Sequence, residues 1–119
     1  MPPLKVARVE LGELEPPAAK ASGSAAPTRG SAVVHAWLND GREFSILAAT
    51  PPWFRAAFAA CGLPYYFGPS VLFLEKIEKA AAKRAVEALL ARGDRWLCLY
   101  DTPRTTLPRV LSDFKARHS

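Results

Sequence analysis

The chain has 119 residues, half of them hydrophobic and 23% charged, and its 16 Lys and Arg against 11 Asp and Glu make it basic. This length is enough for one small folded unit with a core and leaves no room for a second unit. The sequence has no apolar run near the ~20 residues that a membrane-spanning helix needs and no apolar leader, so we expect a cytoplasmic protein without a membrane partner.

The N-terminal quarter predicts a short extended segment followed by a linker. The apolar residues within residues 1–14 fit neither a period of 2 nor one of 3.6, but the valines favour a strand and Gly12 opposes a helix. This strand is expected to pair either with its own sheet or with the sheet edge of a partner. Residues 15–31 are rich in Pro, Ala, Ser and Gly and are predicted to be a flexible linker, so residues 32–119 form the compact domain.

A β-hairpin is predicted over residues 33–47, VVHAWLNDGREFSIL. The turn residues Asn39-Asp40-Gly41 suit a three-residue loop with Gly41 in the left-handed conformation, which pairs Ala36 with Phe44. In this register one face is apolar and is expected to face the core, and it carries Val34, Ala36, Leu38, Phe44 and Ile46. The other face mixes polar and apolar side chains, and it carries Val33, His35, Trp37, Glu43, Ser45 and Leu47.

Helices and strands are predicted to alternate after the hairpin. A helix is expected from the capping residue Thr50 to Gly62, which suits a left-handed C-terminal position. A strand apolar on both faces over residues 71–75 and an amphipathic helix over residues 76–93 follow. The isolated cysteines Cys61 and Cys98, one in a helix stripe and one in an apolar strand, are predicted to be buried free thiols.

A further strand is predicted over the apolar residues 95–100, RWLCLY, and a terminal helix over residues 105–119. Strand, helix and strand with continuous apolar runs are typical of a right-handed βαβ unit. From residue 31 the order is β-β-α-β-α-β-α. It predicts an α/β or α+β fold with a mixed sheet of four strands, or five if the N-terminal segment joins.

No catalytic constellation, cofactor motif or metal-ligand spacing is recognised, so an enzyme is not predicted and neither a cofactor nor a metal is expected. One polar region remains of interest as a weaker alternative. Asp101 follows a predicted strand, and the adjoining loop over residues 102–106 offers hydroxyls and an arginine. This end of the sheet is therefore a minor candidate for a small-molecule or catalytic site.

The favoured function is a non-enzymatic interaction module, a regulatory or accessory protein that binds another protein. Aromatic side chains in the hairpin and in a loop rich in turn residues are typical of interface anchors. A homodimer through a sheet edge is an allied expectation. The predicted protein-binding surface consists of His35, Trp37, Tyr65, Tyr66 and Phe67.

The alternative function is nucleic-acid binding by a basic helical face, with aromatic side chains stacking on bases. It requires the last two predicted helices to cover the same face of the sheet. The expected contacts are Lys76, Lys79, Lys83, Arg84, Arg104, Arg109, Lys115 and Arg117.

Overall fold

A computed structural model describes residues 3–15, 28–102 and 105–118. Within these ranges the chain forms an α+β fold in which four helices accompany a mixed four-stranded sheet of order β1-β2-β3-β4. None of the helices described there is long and apolar enough to cross a membrane. In chain order the elements are β1 (Val6–Glu15), β2 (Ser31–Leu38), β3 (Glu43–Ala49), α1 (Pro51–Cys61), β4 (Leu72–Phe73), α2 (Lys79–Ala91), α3 (Asp94–Tyr100) and α4 (Leu107–His118).

The predicted hairpin is confirmed in its register and in its turn. Ala36 pairs with Phe44 in the antiparallel β2–β3 ladder, and the Leu38 N–H donates to the Arg42 carbonyl across the turn. Gly41 has a φ of 91°, the left-handed conformation expected for the third loop residue. The five side chains of the predicted core face are all at most 5% exposed.

The N-terminal segment returns to its own sheet, because β1 pairs antiparallel with β2. Two irregularities interrupt this pairing, one between Val6 and Arg8 and one between Gly12 and Glu15. The extra residue in the first bulge lets Val6 and Val9 point to the same face of the sheet, where both pack on the core. This explains why the apolar residues fit no regular period. Residues 16–27 of the predicted linker lie outside the described residues.

The second bulge holds Glu13 at a φ of 50°, in the left-handed region that glycine favours. We expect Glu13→Gly to raise the free energy of unfolding by about 0.5–1 kcal/mol, because glycine adopts this conformation without the steric cost of a Cβ. Urea denaturation followed by circular dichroism measures the change. Glu15→Gly is the control, because Glu15 lies in the same strand but outside the left-handed region. This substitution should lower the free energy of unfolding by about 0.5–1 kcal/mol. Equal losses of stability in both variants would contradict the backbone strain that we infer at Glu13.

Helices cover both faces of the sheet. The first face packs against α2 and α3, with Ala82, Val86 and Leu97 closing over the buried hairpin side chains. The second face packs against α1 and α4, where Leu107 and Leu111 lie over Val33 and Leu47. Coverage of the second face is incomplete, since His35 and Trp37 on the same face stay partly exposed.

The predicted strand over residues 95–100 is wrong, because these residues form α3. The predicted βαβ unit through α2 is therefore absent. A parallel pair exists elsewhere: β4 lies parallel to β3, and α1 is the helix that connects them. Before this pair, Ile46 of β3 forms an isolated antiparallel bridge with Asp101, and no regular strand other than β2 pairs there within the described residues.

Contacts of the adjoining residue and the burial pattern explain why residues 95–100 are helical. Asp94 lies in the first turn of α3, where a carboxylate favours the helix dipole, and it forms an ion pair of 3.1 Å with Arg42 of the hairpin. Leu97 is fully buried while Leu99 is 63% exposed, an arrangement that a strand with both on one face does not produce. Cys98 is consequently exposed, contrary to the prediction, whereas Cys61 is buried, and both are free thiols.

Candidate functional site

The loop between α1 and β4 packs its aromatic side chains against the last helix. Phe114 of α4 lies at the centre, with ring centroids 5.0 Å from Tyr66, 5.3 Å from Phe67 and 4.3 Å from His118. Tyr66 donates its hydroxyl to the Pro69 carbonyl, and partial burial raises the pKa of its phenol above the usual value. The predicted aromatic loop is therefore anchored by α4 and not by the hairpin.

The aromatic contacts continue from this loop to α1 and β4. Phe54 of α1 contacts Tyr66 edge to face at 5.7 Å and Phe73 of β4 at 5.5 Å, and its ring is stacked with Phe58 at 6.4 Å. Many of these rings remain accessible, since Tyr65 is 45%, Phe67 61% and Phe73 51% exposed. We call this group the aromatic surface, and its members are Phe54, Phe58, Tyr65, Tyr66, Phe67, Phe73 and Phe114.

Two shallow depressions lie side by side on the aromatic surface and share Phe54 and Phe73. One, of about 380 Å³, lies towards Phe58, and the other, of about 400 Å³, lies towards Tyr66 and Phe67. Each is large enough to receive an apolar side chain from another molecule.

The aromatic surface adjoins an open edge of the sheet. Within the described part of the chain, β4 is the last strand in the sheet order and pairs with β3 on one side only. The Leu74 N–H donates to the Ala49 carbonyl at 3.0 Å, so the peptide groups of Leu72 and Leu74 face β3. Since these groups alternate in direction along an extended strand, the N–H and C=O of Phe73 face away from β3.

The opposite edge of the sheet differs in chemistry. β1 carries the charged, exposed side chains Arg8, Glu10 and Glu13, and two bulges interrupt its pairing. Charges and bulges are the features that discourage another strand from adding to an edge. Residues 71–74 at the β4 edge, VLFL, carry no charge. The β4 edge is therefore the one suited to receive a further strand.

His35 and Trp37 do not belong to the aromatic surface. They lie on the second face of the sheet, with ring centroids 6.3 Å apart, and the Arg8 guanidinium covers the Trp37 ring at 4.0 Å. The structure thus brings Tyr65, Tyr66 and Phe67 together and places His35 and Trp37 in a separate environment. Packing within the chain accounts for the half-burial of Trp37.

A polar cavity of about 350 Å³ lies beside His35, between the second face of the sheet and the start of α4. Its floor includes Val33, and its polar lining consists of Glu13, His35, Ser45, Thr105, Thr106 and Arg109. Nδ1 of His35 is 3.2 Å from Oγ of Ser45, which faces it across the β2–β3 ladder. The minor candidate site beside residues 102–106 thus shares its lining with the hairpin.

Asp101 orders this region without entering the cavity. Its Oδ1 accepts the Ser45 backbone N–H at 2.8 Å, and the Thr102 N–H donates to the Ser45 carbonyl at 2.6 Å. The chain after α3 is in this way attached to β3 at Ser45, the residue that faces His35. The carboxylate of Asp101 is therefore a structural acceptor.

The predicted basic residues fall into two groups on opposite faces of the sheet. Lys79, Lys83 and Arg84 belong to α2 over the first face, and Lys79 is paired with Glu10 at 3.1 Å. Lys115 and Arg117 belong to α4 over the second face, as does Arg109 at the polar cavity. Lys76 precedes α2, and Arg104 lies outside the described residues. The shared face that the nucleic-acid alternative requires is not formed, and nucleic-acid binding stays an untested prediction.

Several residues of the two regions are not evident from the sequence pattern. Phe54 and Phe114 fit core stripes of their helices, and nothing local indicates that the loop aromatics pack between them. A signal does exist for the polar cavity, because the predicted hairpin register already places His35 opposite Ser45. Sequence reasoning does not bring this pair together with Thr105 and Arg109, because residues 95–100, which precede them, are wrongly predicted as a strand.

The described residues contain no group of three or more His, Cys, Asp or Glu side chains that could hold a metal ion. Comparison with known family models, with characterised proteins and with solved structures found no match to this chain.

Proposed function

We propose that this protein is a binding module that receives an extended apolar segment of another protein at the β4 edge. The observation that carries the proposal is the combination at Phe73, whose backbone faces the open edge and whose half-exposed ring borders the depressions of the aromatic surface. Strand addition at an edge draws affinity from backbone hydrogen bonds and specificity from pockets for alternate side chains. Phe73 offers one N–H and one C=O for such bonds, and α1 and the preceding loop supply the other walls of the depressions.

An apolar partner segment suits this place better than a charged one. The depression between α1 and β4 is lined by Pro51, Phe54, Phe58 and Phe73, with Arg55 as its charged member. Aromatic side chains in such a groove bury large areas and are the residues that most often dominate binding energies. We therefore expect a segment with apolar residues at alternate positions, since those side chains enter the groove while the intervening ones face solvent.

Selection from a displayed library of random peptides tests the proposal, because it requires no identified partner. Enriched peptides are synthesised with a fluorophore, and their affinities are measured by anisotropy against the whole chain. We expect Phe73→Lys to weaken binding at least about tenfold, because it places a charge in the groove. Methylation of the peptide nitrogens that pair with Phe73 should have a similar effect.

Leu99→Lys is the matched control, because Leu99 is 63% exposed and lies on α3, over the other face of the sheet. It adds the same charge to an exposed apolar position and should leave the affinity within about twofold of the original. Equal losses of affinity in both variants would contradict the proposed surface. So would the selection of peptides whose affinity neither substitution changes.

A second copy of the chain is the other occupant that the open edge admits. Light scattering over a range of concentrations measures this directly. The proposal expects a monomer at micromolar concentration. A dimer that Phe73→Lys dissociates would make the chain its own partner and would overturn the assignment of the edge to a foreign segment.

A further inference from the structure

We propose that the polar cavity beside His35 is a second binding site, for a small organic anion bearing a carboxylate or phosphate group. This site does not depend on the proposed function, since none of its lining residues belongs to the aromatic surface. The volume of about 350 Å³ lies within the range of natural small-molecule sites, ~300–1,000 Å³.

The cation of the site is Arg109, whose guanidinium has no ion-pair or hydrogen-bond partner among the residues that the structure describes. A guanidinium offers paired N–H donors that match carboxylate and phosphate oxygens. Two basic side chains elsewhere in the fold are already paired, Lys79 with Glu10 and Arg42 with Asp40 and Asp94. Arg109 thus brings an uncommitted positive charge to a concave surface.

Neutral donors lie in the same cavity. Ser45, Thr105 and Thr106 contribute half-buried hydroxyls, and His35 contributes a half-buried imidazole held by Ser45. The Thr106 hydroxyl accepts the Arg109 backbone N–H at 3.4 Å, and a hydroxyl that accepts one bond can still donate to an anion. An oxyanion beside Arg109 would therefore find several donors from different elements.

The position of the imidazole depends on the glycine at the neighbouring place in β1. A Cβ atom at Gly12 would lie 3.0 Å from Nε2 of His35, which is closer than ordinary contact. The ring therefore occupies the space that a side chain at Gly12 would fill. The absence of a side chain at this position keeps His35 directed along the sheet surface towards β1.

Glu13 makes it possible to distinguish an anion site from a cation site, because it lines the same cavity and carries a negative charge. Its carboxylate repels an anion bound at Arg109 and would attract a cation. If the site binds anions, Glu13→Gln strengthens binding and Arg109→Gln weakens it. If the site binds cations, the two substitutions have the opposite effects.

The experiment is a titration of the isotopically labelled chain with inorganic phosphate, acetate and methylammonium at constant ionic strength, followed by amide chemical shifts. We expect saturable shifts at His35, Ser45 and residues 105–109 with phosphate or acetate, with Kd values on the order of 10 mM for these minimal probes. Arg109→Gln should raise Kd at least about fivefold, and Glu13→Gln should lower it about twofold or more. The ratio of the phosphate and acetate affinities identifies the preferred anion.

Lys115→Gln is the matched control, since Lys115 is an exposed cation on the same helix and does not line the cavity. It removes one positive charge and should leave Kd unchanged. Shifts that do not saturate, equal effects of Arg109→Gln and Lys115→Gln, or tighter binding of methylammonium than of the anions would each overturn the proposal. The dispersion of the amide spectrum verifies that every variant is folded.

Discussion

Replacing Leu97 with Ala is expected to lower the free energy of unfolding by about 2–5 kcal/mol, which would be the largest effect of any substitution considered. Leu97 is fully buried in the core between the sheet and the helices of the first face. Truncation removes buried methyl groups and leaves a cavity that the rigid sheet can fill only in part. Urea denaturation monitored by tryptophan fluorescence and by circular dichroism measures the loss.

Leu99→Ala is the matched control and should change stability by less than about 0.5 kcal/mol, because Leu99 is 63% exposed. The pair also tests the conformation of residues 94–100. In a strand, Leu97 and Leu99 would point to the same side and respond alike, whereas in α3 they point to different sides. Similar losses in both variants would contradict the helix.

Replacing Thr50 with Val is expected to cost about 1–3 kcal/mol, although the two side chains have nearly the same shape. Thr50 is fully buried, and its Oγ1 accepts the backbone N–H of Gly30 at 3.0 Å. The Thr50 N–H donates in turn to the Gly30 carbonyl at 2.9 Å, so the start of β2 is attached to the start of α1. Valine keeps the packing but leaves the buried N–H of Gly30 without an acceptor.

Ser31→Ala provides the contrasting case at the adjacent position. Ser31 is 1% exposed, and its hydroxyl has no hydrogen-bond partner within the described part of the chain. Removing a buried hydroxyl that makes no bond should leave stability unchanged or raise it by up to about 1 kcal/mol. Thermal and urea unfolding of both variants give the comparison. If Thr50→Val lowers the free energy of unfolding no more than Ser31→Ala does, the hydrogen bond to Gly30 contributes nothing to stability.

The two proposed sites share α4, which carries Arg109 at the polar cavity and Phe114 of the aromatic surface. Their tests remain independent because the decisive substitutions lie apart. Phe73→Lys should leave the affinity for phosphate unchanged, and Arg109→Gln should leave the affinity for selected peptides unchanged. A negative result for one proposal therefore does not contradict the other.

Much of the fold was predictable where a local pattern has one physical meaning. The Asn39-Asp40-Gly41 turn and the alternation on either side of it specified the β2–β3 register, because any shift by one residue would bury polar side chains. The helix from Pro51 to Cys61 was equally determined, since Pro51 suits its first turn and Gly62 its left-handed end.

The segment RWLCLY shows where local patterns fail. A short run of apolar and aromatic residues is compatible with a buried strand and with a helix, and six residues are too few to show either period. The outcome depended on its neighbours: Asp94 pairs with Arg42, Arg92 covers the Trp96 ring at 4.7 Å, and β4 already occupies the place beside the end of β3. Each of these contacts involves a residue outside the run, and two of them include the distant hairpin or sheet.

For this protein, the sequence by itself determined the hairpin with its core face, the ends of α1, and the amphipathic character of α2 and α4, because turn chemistry and side-chain periodicity act over a few residues. Only the tertiary structure decided which helices cover which face, that β1 and β4 form the two edges of the sheet, and that Arg109 and His35 line one cavity. These arrangements join residues far apart in the chain, and the free energy that selects them comes from burial of one element against another, which no single segment encodes.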